Sequence, residues 1–334
     1  LSSIARAPPL SLKLAASSPP ILTTPSPCWS PLPLFLDNLQ ALLATGHPAA
    51  TILVVMEATG SYWVGLATTL AQAGFVVSVV HAAQAHHFAK ALLKRAKTDA
   101  IDAQTLTQLA ARLEPAPWAP PPAIYTELQQ RLAQRDTLMT LRQQVRNQRH
   151  ALQHLPVVIA SVLERMEALI ATFDAQIAVV EQEIEQVLSQ DAAWATTATL
   201  LLSITGIGLL TTAWLLVTTL NFTICATAEE ATAYAGLAPH PYESGTSVRG
   251  RAAIGHGGNG RLRTALYLAT LSAAQHNPHI KPFYARLRAA GKPKKVARCA
   301  AARKLLHLAW AVATKGVAFD PLYQTQHACS GSST

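Results

Sequence analysis

Two short apolar runs rich in β-branched residues, separated by a helical stretch, constrain this chain more than any other feature. Ile52-Leu53-Val54-Val55-Met56 stops at Glu57, and Phe75-Val76-Val77-Ser78-Val79-Val80 follows a Gly74 stop. Runs of this length without polar alternation belong to strands of a covered sheet, and the helical span between them makes a strand-helix-strand unit covered on at least one face. The next helix carries Asp99 and Asp102, three residues apart and therefore on one helix face. Three carboxylates thus gather near one sheet. Hard oxygen donors of this kind suit Mg2+ or Mn2+, and two such ions about 4 Å apart clamp the attacking and leaving oxygens of a phosphate. The same residues also fit a plainer pattern, in which Glu57 closes a strand at the solvent boundary and the aspartates lie on a solvated helix face.

Charge placement points to the partner. The 334-residue chain has room for two or three domains and carries a formal net charge of +9. From Ser244 to Phe319 there is no Asp or Glu, whereas Lys and Arg number 14, so the rest of the chain is net acidic. One-sided placement of this kind is the footprint of a polyanion partner such as nucleic acid; a basic surface that only keeps the protein in solution is the alternative. Cys28, Cys225, Cys299 and Cys329 show neither metal-ligand spacing nor a dense disulfide pattern, which fits a reducing, cytoplasmic setting.

In chain order, residues 1–33 are rich in proline and expected to be irregular, without the pattern of a signal peptide. Residues 34–118 hold a helix over Leu34 to Leu43 and the strand-helix-strand unit. A proline cluster from Pro115 to Pro122 marks a boundary. Residues 123–190 follow as two long helices parted by Pro156. In the second, Val158, Val162, Met166, Leu169, Phe173, Ile177, Val180, Ile184 and Val187 recur at spacings of three and four, as a coiled-coil seam requires. A helical hairpin or dimerisation stalk follows from this. The first helix carries Arg131, Arg135, Arg142, Arg146 and Arg149, either a solvated face or a flank touching phosphate.

Residues 195–322 are expected to form a mainly helical domain, followed by a tail at 323–334. Thr196 to Leu220 is long enough to cross a bilayer, but Thr205-Gly206-Ile207-Gly208 interrupts it. A buried helix, glycine turn and helix fits better, and such a turn presents backbone N–H groups to phosphate. Tyr242 to Ser247 is a polar loop. Gly250, Gly255, Gly257, Gly258 and Gly260 surround Asn259 and open onto a helix over Arg261 to Ala274, where glycines allow backbone donors to approach a phosphate. Helices over Pro282 to Ala289 and Lys294 to Thr314 complete the chain.

The runs MEATGSYW (56–63), KTDAIDAQ (97–104), ITGIG (204–208), AYAGLAP (233–239), SGTSVRGRAAIGHGGNGRLRTALY (244–267) and GKPKKVA (291–297) closely resemble the "one-ten" family of bacterial insertion-sequence transposases, including its "eleven-eleven" branch. The likeness runs from about residue 50 to 322 in the family's order. The resemblance implies an α/β plus α fold: an RNase H/RuvC-like domain with a DEDD carboxylate set, a coiled-coil hairpin, and a helical transposase domain with a serine nucleophile. It also implies donor and target DNA, a structured guide RNA encoded by the element, an oligomer with composite active sites, and residence in the cytoplasm at the nucleoid, with no membrane span. Carried over residue by residue, Glu57, Asp99 and Asp102 match the second, third and fourth acidic positions and would hold Mg2+ or Mn2+. Ser244 matches the nucleophile, with Ser247 as its nearest substitute. Arg249, Arg251, Asn259, Arg261, Arg263, Lys292, Lys294 and Lys295 are candidate contacts to nucleic acid, and His256 is a candidate phosphate or structural contact. One departure stands out. The family's first Asp lies on an opening strand, yet before Glu57 this chain holds one acid, Asp37, in a helical context. The carboxylate set is therefore expected to be incomplete, residues 1 to about 30 to be a replaced, truncated or out-of-frame start, and this copy to be impaired in DNA cleavage or reduced to a silent nucleic-acid-binding remnant.

Overall fold

A three-stranded parallel sheet with helices on both faces forms around the two apolar runs. The computed structural model describes residues 21–22, 32–93, 98–240, 243–244, 248–249, 253–255 and 257–322; for 21–22, 32–36, 38, 99–100, 240, 243–244, 248–249 and 253 it describes the backbone alone. These residues form two compact units divided between Pro120 and Pro121.

In the first unit, the strands are β1 (Ile21–Leu22), β2 (Leu53–Glu57) and β3 (Val76–Val80), in the order β1-β2-β3. Leu53 pairs with Val76 and Glu57 with Val80, while Ile21 and Leu22 pair with Leu53 and Val54. Successive strand residues point to opposite faces. One face buries Val54, Met56 and Val77 against Leu39 and Leu42 of α1 (Leu32–Ala44) and Ala67 and Leu70 of α2 (Tyr62–Gln72). The other buries Val55 and Val80 against Ala85 of α3 (Ala82–Ala91) and Leu106, Leu109 and Ala110 of α4 (Asp99–Leu113). Coverage on both faces explains why the runs show no alternation. Where the stretch expected to be irregular over 1–33 is described, it is regular, for Ile21–Leu22 is a strand and α1 begins at Leu32. Pro20 precedes the strand, and an edge strand of two residues tolerates a proline at its start.

The proline cluster also guards the sheet. The Trp118 N–H donates to the Val77 carbonyl at 2.6 Å, and the buried Ser78 hydroxyl points at the carbonyls of Pro115 and Ala116, at 2.9 and 3.1 Å. Residues 115–118 therefore occupy the free edge of β3, which would otherwise present unpaired N–H and C=O groups to another chain.

In the second unit, α5 (Ala123–Leu152) and α6 (Ala160–Gln190) pack as an antiparallel hairpin. Ile124, Leu128 and Leu132 of α5 and Val180, Ile184, Val187 and Leu188 of α6 are buried in one core, and Ile177 is buried farther along α6. The expected seam is shifted farther out: Ile170 is buried, Leu169 is 49% exposed, and Val158 precedes the helix. Ion pairs flank the seam along its length. Arg131 reaches Glu183 at 3.2 Å, Arg135 reaches Glu181 at 2.6 Å, Arg142 and Arg146 share Asp174, and Arg149 reaches Glu167 at 3.5 Å. The α5 arginines form a rung-by-rung match to α6 carboxylates, so the flank considered for phosphate contact is committed within the fold.

This ladder has an acid limit. The hydrogen bond from Arg142 and the charges of Arg142 and Arg146 hold the Asp174 carboxyl below its usual 3.8, against a smaller opposing effect of desolvation. A lowered folded pKa gives stability that is present above the unfolded value, about 3.9, and lost as pH falls through the folded one. Asp174→Asn is expected to flatten the pH dependence of the urea midpoint below about pH 4; an unchanged acid limb would remove Asp174 as its source.

The uncharged stretch divides at the glycine turn into α7 (Ala192–Leu202) and α8 (Leu209–Thr219), each of 11 residues. Among the described residues no helix is long and apolar enough to cross a membrane. α9 (Ala228–Tyr234) leads to β4 (Pro239–His240), β5 (Glu243–Ser244), β6 (Val248–Arg249) and β7 (Ala253–Ile254), and then to α10 (Gly260–His276), α11 (Ile280–Ala289) and α12 (Lys294–Lys315). The core of this part draws on Leu201, Leu215 and Leu216, with Leu262 and Leu266 of α10 and Leu305 and Leu306 of α12.

Candidate functional site

Glu57 ends β2. Alternation from Leu53 and Val55 puts it on the sheet face that α4 covers. α4 opens with Thr98 as its cap, the hydroxyl accepting from the Ile101 N–H at 3.3 Å, so Asp99 is its first residue and Asp102 lies near its positive end. Glu57 and Asp102 are half-buried. Oxygen donors and the absence of sulfur suit a hard divalent ion. Among the described residues no group of three His, Cys, Asp or Glu converges as a metal site; the Asp99 side chain is outside that description. Of the two strands beside β2, neither β1 (Ile21–Leu22) nor β3 (Val76–Val80) carries a carboxylate.

Ser244 lies on a hairpin, where the sequence suggested a loop. β4 pairs antiparallel with β7 and β5 with β6; Ser244 opposes Val248 and Glu243 opposes Arg249. The serine is thus separated from its partner by residues 245–247 alone. Ser247, Arg251 and His256 lie outside the described residues, as do the side chains of Ser244 and Arg249.

The root of this hairpin is tied tightly. The Asn259 N–H donates to the Tyr234 carbonyl at 2.6 Å, its side-chain oxygen accepts from the N–H groups of Arg261 and Leu262 at 3.1 Å, and its amide nitrogen donates to the Tyr234 hydroxyl at 3.3 Å. The Arg263 guanidinium donates to the carbonyls of Gly257 and Ala235 at 2.9 and 3.3 Å. Gly236 and Gly258, at φ +67° and +82°, abut so closely that a Cβ on Gly258 would stand 2.5 Å from the Gly236 nitrogen. The glycine turn before α8 is similar: a Cβ on Gly206 would lie 2.5 Å from the Ala273 Cβ, and Asn277 donates to the Thr205 carbonyl at 2.9 Å. At these positions glycine permits close approach of the protein to itself, where for Gly206 and Gly258 the sequence suggested approach to phosphate. Asn259 and Arg263 likewise use polar atoms inside the fold.

Other cations remain outward. Arg261 is exposed, pairs with Asp136 of α5 and stands 6.0 Å from the Trp214 ring centroid. Lys292, Lys294 and Lys295 are exposed at the α11–α12 turn, and among the described residues no carboxylate pairs with them. Lys294 and Lys295 occupy the first turn of α12, the end where a helix disfavours cations and favours anions. Phe283 lies between Arg286, at 5.5 Å, and Lys304, at 5.0 Å, and Arg298 lies 5.9 Å from Tyr267. Burial, and then Arg286, hold the Lys304 ammonium below the ordinary lysine value. Phe283 and Tyr267 escaped the sequence reading, although aromatics interleaved with an acid-free basic stretch were a usable signal. Burial pushes the thiols of Cys225 and Cys299 up, so neither is an activated thiolate.

A carboxylate-bearing α/β unit followed by a basic helical unit defines a protein that acts on nucleic acid, and the comparisons specify which kind. A family model of DEDD type described as "Transposase" matches residues 32–156, and one described as "Transposase IS116/IS110/IS902 family" matches residues 198–285. The chain is 30% identical over 287 residues to the pilin gene-inverting proteins of Moraxella lacunata and Moraxella bovis, covering 86% of this chain and 87% of each relative. It is 36% identical over 120 residues to an insertion element IS110 protein of Streptomyces coelicolor, covering 36% of this chain and 29% of that protein. The chain belongs to the IS110/IS116/IS902 family of transposases.

Proposed function

We propose that this transposase moves DNA by serine-based strand cleavage and rejoining, within an oligomer guided by an element-encoded RNA. The observation that carries the reading is the placement of Ser244 on a short, rooted hairpin at the start of the acid-free stretch of the chain. The Moraxella relatives named for gene inversion add support, since inverting a segment requires strands to be cut and rejoined. In this reading Ser244 Oγ attacks a backbone phosphorus, forming a serine–phosphate ester as the bond to the bridging oxygen breaks; the departing strand oxygen takes up a proton. Rejoining reverses the step on a new strand end. Arg249 and Arg251 hold flanking phosphates, Arg261 joins them by exchanging its pair with Asp136 for a phosphate, and Lys292, Lys294 and Lys295 extend the contact. The RuvC-like unit contributes Glu57, Asp99 and Asp102, the residues that would hold Mg2+ or Mn2+. Such an ion neutralises charge developing on phosphate oxygens.

This copy is impaired in cleavage. Neither strand beside β2 has a carboxylate to complete a DEDD set, and an incomplete set leaves ion geometry loose where small displacements are costly. The same observation favours a second reading, a scaffold that binds nucleic acid without chemistry. Covalent trapping on a denaturing gel separates them, with labelled donor and target DNA, the element's RNA and Mg2+. The chain as it stands is expected to give little DNA-linked protein. Replacing residues 1–31 with an aspartate-bearing first strand from an active relative should raise the yield, and Ser244→Ala in that chimera should abolish it. An adduct that survives Ser244→Ala removes Ser244 as nucleophile; a chimera that stays inert beside its active parent supports the silent scaffold.

A further inference from the structure

The outer end of the α5–α6 hairpin carries two features that the strand-transfer chemistry does not use. His150, in the last turn of α5, and His154, just beyond it, bring their Nε2 atoms within 3.5 Å, with ring centroids 4.7 Å apart. Both rings are exposed. Spacing of four residues puts them on one side of the helix end. Two imidazole nitrogens bound to one tetrahedral ion at about 2.05 Å lie about 3.3 Å apart, close to the observed separation. The nearby cation Arg149 is ion-paired with Glu167, so its charge is offset.

The second feature adjoins the first. Leu155, Val157, Val158 and Ile159, in the turn between the helices, are 52%, 79%, 38% and 64% exposed. A run of large apolar side chains at the end of a long hairpin is a surface that gains from burial.

We propose that His150 and His154 chelate a divalent transition metal ion of the zinc class, and that a second copy of this chain completes the coordination with the same two histidines. Neutral imidazole is a preferred ligand for such ions. Two ligands leave a tetrahedral ion half coordinated, and among the described residues no third His, Cys, Asp or Glu joins the pair. A twofold-related copy presents an identical pair and closes a four-histidine set, with each chain using the same patch. The same contact takes Leu155, Val157 and Ile159 of both copies out of water. Self-complementarity of ligands and apolar collar at one place favours a second copy over an unrelated partner.

The test uses the full chain freed of metal with EDTA, titrated with zinc chloride by calorimetry and followed by sedimentation velocity. Three proteins are compared: the unaltered chain, His150→Gln/His154→Gln, and His86→Gln/His87→Gln, which removes the adjacent histidines of α3. The unaltered chain is expected to bind about one zinc ion per two chains beyond that of His150→Gln/His154→Gln, with the sedimenting mass doubling and EDTA reversing it. His86→Gln/His87→Gln should behave like the unaltered chain. Both altered pairs are exposed, so circular dichroism should match in all three. Zinc binding unchanged by His150→Gln/His154→Gln overturns the site. A site lost in that variant but binding one zinc per chain, with no change in mass, overturns the role of the second copy.

Discussion

Gly258→Ala is expected to destabilise the second unit by about 4 kcal/mol, summing the cost of a left-handed backbone for alanine and of overpacking a closed contact. Gly258 sits at φ +82°, and its missing Cβ would lie 2.5 Å from the Gly236 nitrogen, 2.6 Å from the Gly236 Cα and 2.8 Å from the Tyr234 carbonyl oxygen. These are backbone atoms, which cannot swing aside as the end of a side chain does. Moving them also pulls on Asn259, whose N–H and amide both contact Tyr234, and hence on the cap of α10. Gly257 is the matched control, with no atom within 4 Å of its added Cβ, and Gly257→Ala should stay within about 0.5 kcal/mol. Guanidinium titrations of the full chain measure both. Equal midpoints for the two variants would show that the Gly236–Gly258 contact opens without cost.

Lys292→Ala/Lys294→Ala/Lys295→Ala is expected to lower the slope of log binding constant against log salt by about 2.7 on double-stranded DNA, because each of the three ammonium groups neutralises one phosphate. These side chains are exposed and without carboxylate partners among the described residues, and two of them oppose the α12 dipole until an anion arrives. Arg142→Ala should leave that slope unchanged, because the Arg142 guanidinium already pairs with Asp174. Filter binding from about 50 to 200 mM salt distinguishes the two variants. A slope that falls for Arg142→Ala and holds for the triple variant would place the nucleic acid on the hairpin instead.

The contrast between those two sets of cations shows where sequence reading stops. Both look alike as text: arginines every few residues on α5, lysines around Pro293. Only the register between α5 and α6 decides that Arg131, Arg135, Arg142, Arg146 and Arg149 meet carboxylates about 18 to 52 residues away in the chain. That register depends on where each helix stops on its side of Pro156 and on which side chains fill the seam; the burial of Ile170 in place of Leu169 reflects the same register. The strand Ile21–Leu22 was hidden for a related reason, since two residues flanked by prolines carry too little periodicity to signal pairing. The motif singled out Ser244 as a candidate and carried no sign of its pairing with Val248.

By itself, the sequence determined the local elements: the apolar runs that become β2 and β3, the helix that carries Asp99 and Asp102, the glycine break between α7 and α8, and the acid-free basic region. Each follows from periodicity, capping or charge within a few residues. Tertiary structure decided what those elements touch. It closed both faces of the sheet, laid residues 115–118 along β3, consumed the α5 arginines in a ladder, and turned Gly206, Gly236 and Gly258 toward protein backbone. The reason is physical: propensity is a property of neighbours in the chain, whereas partnership depends on distances that only packing sets.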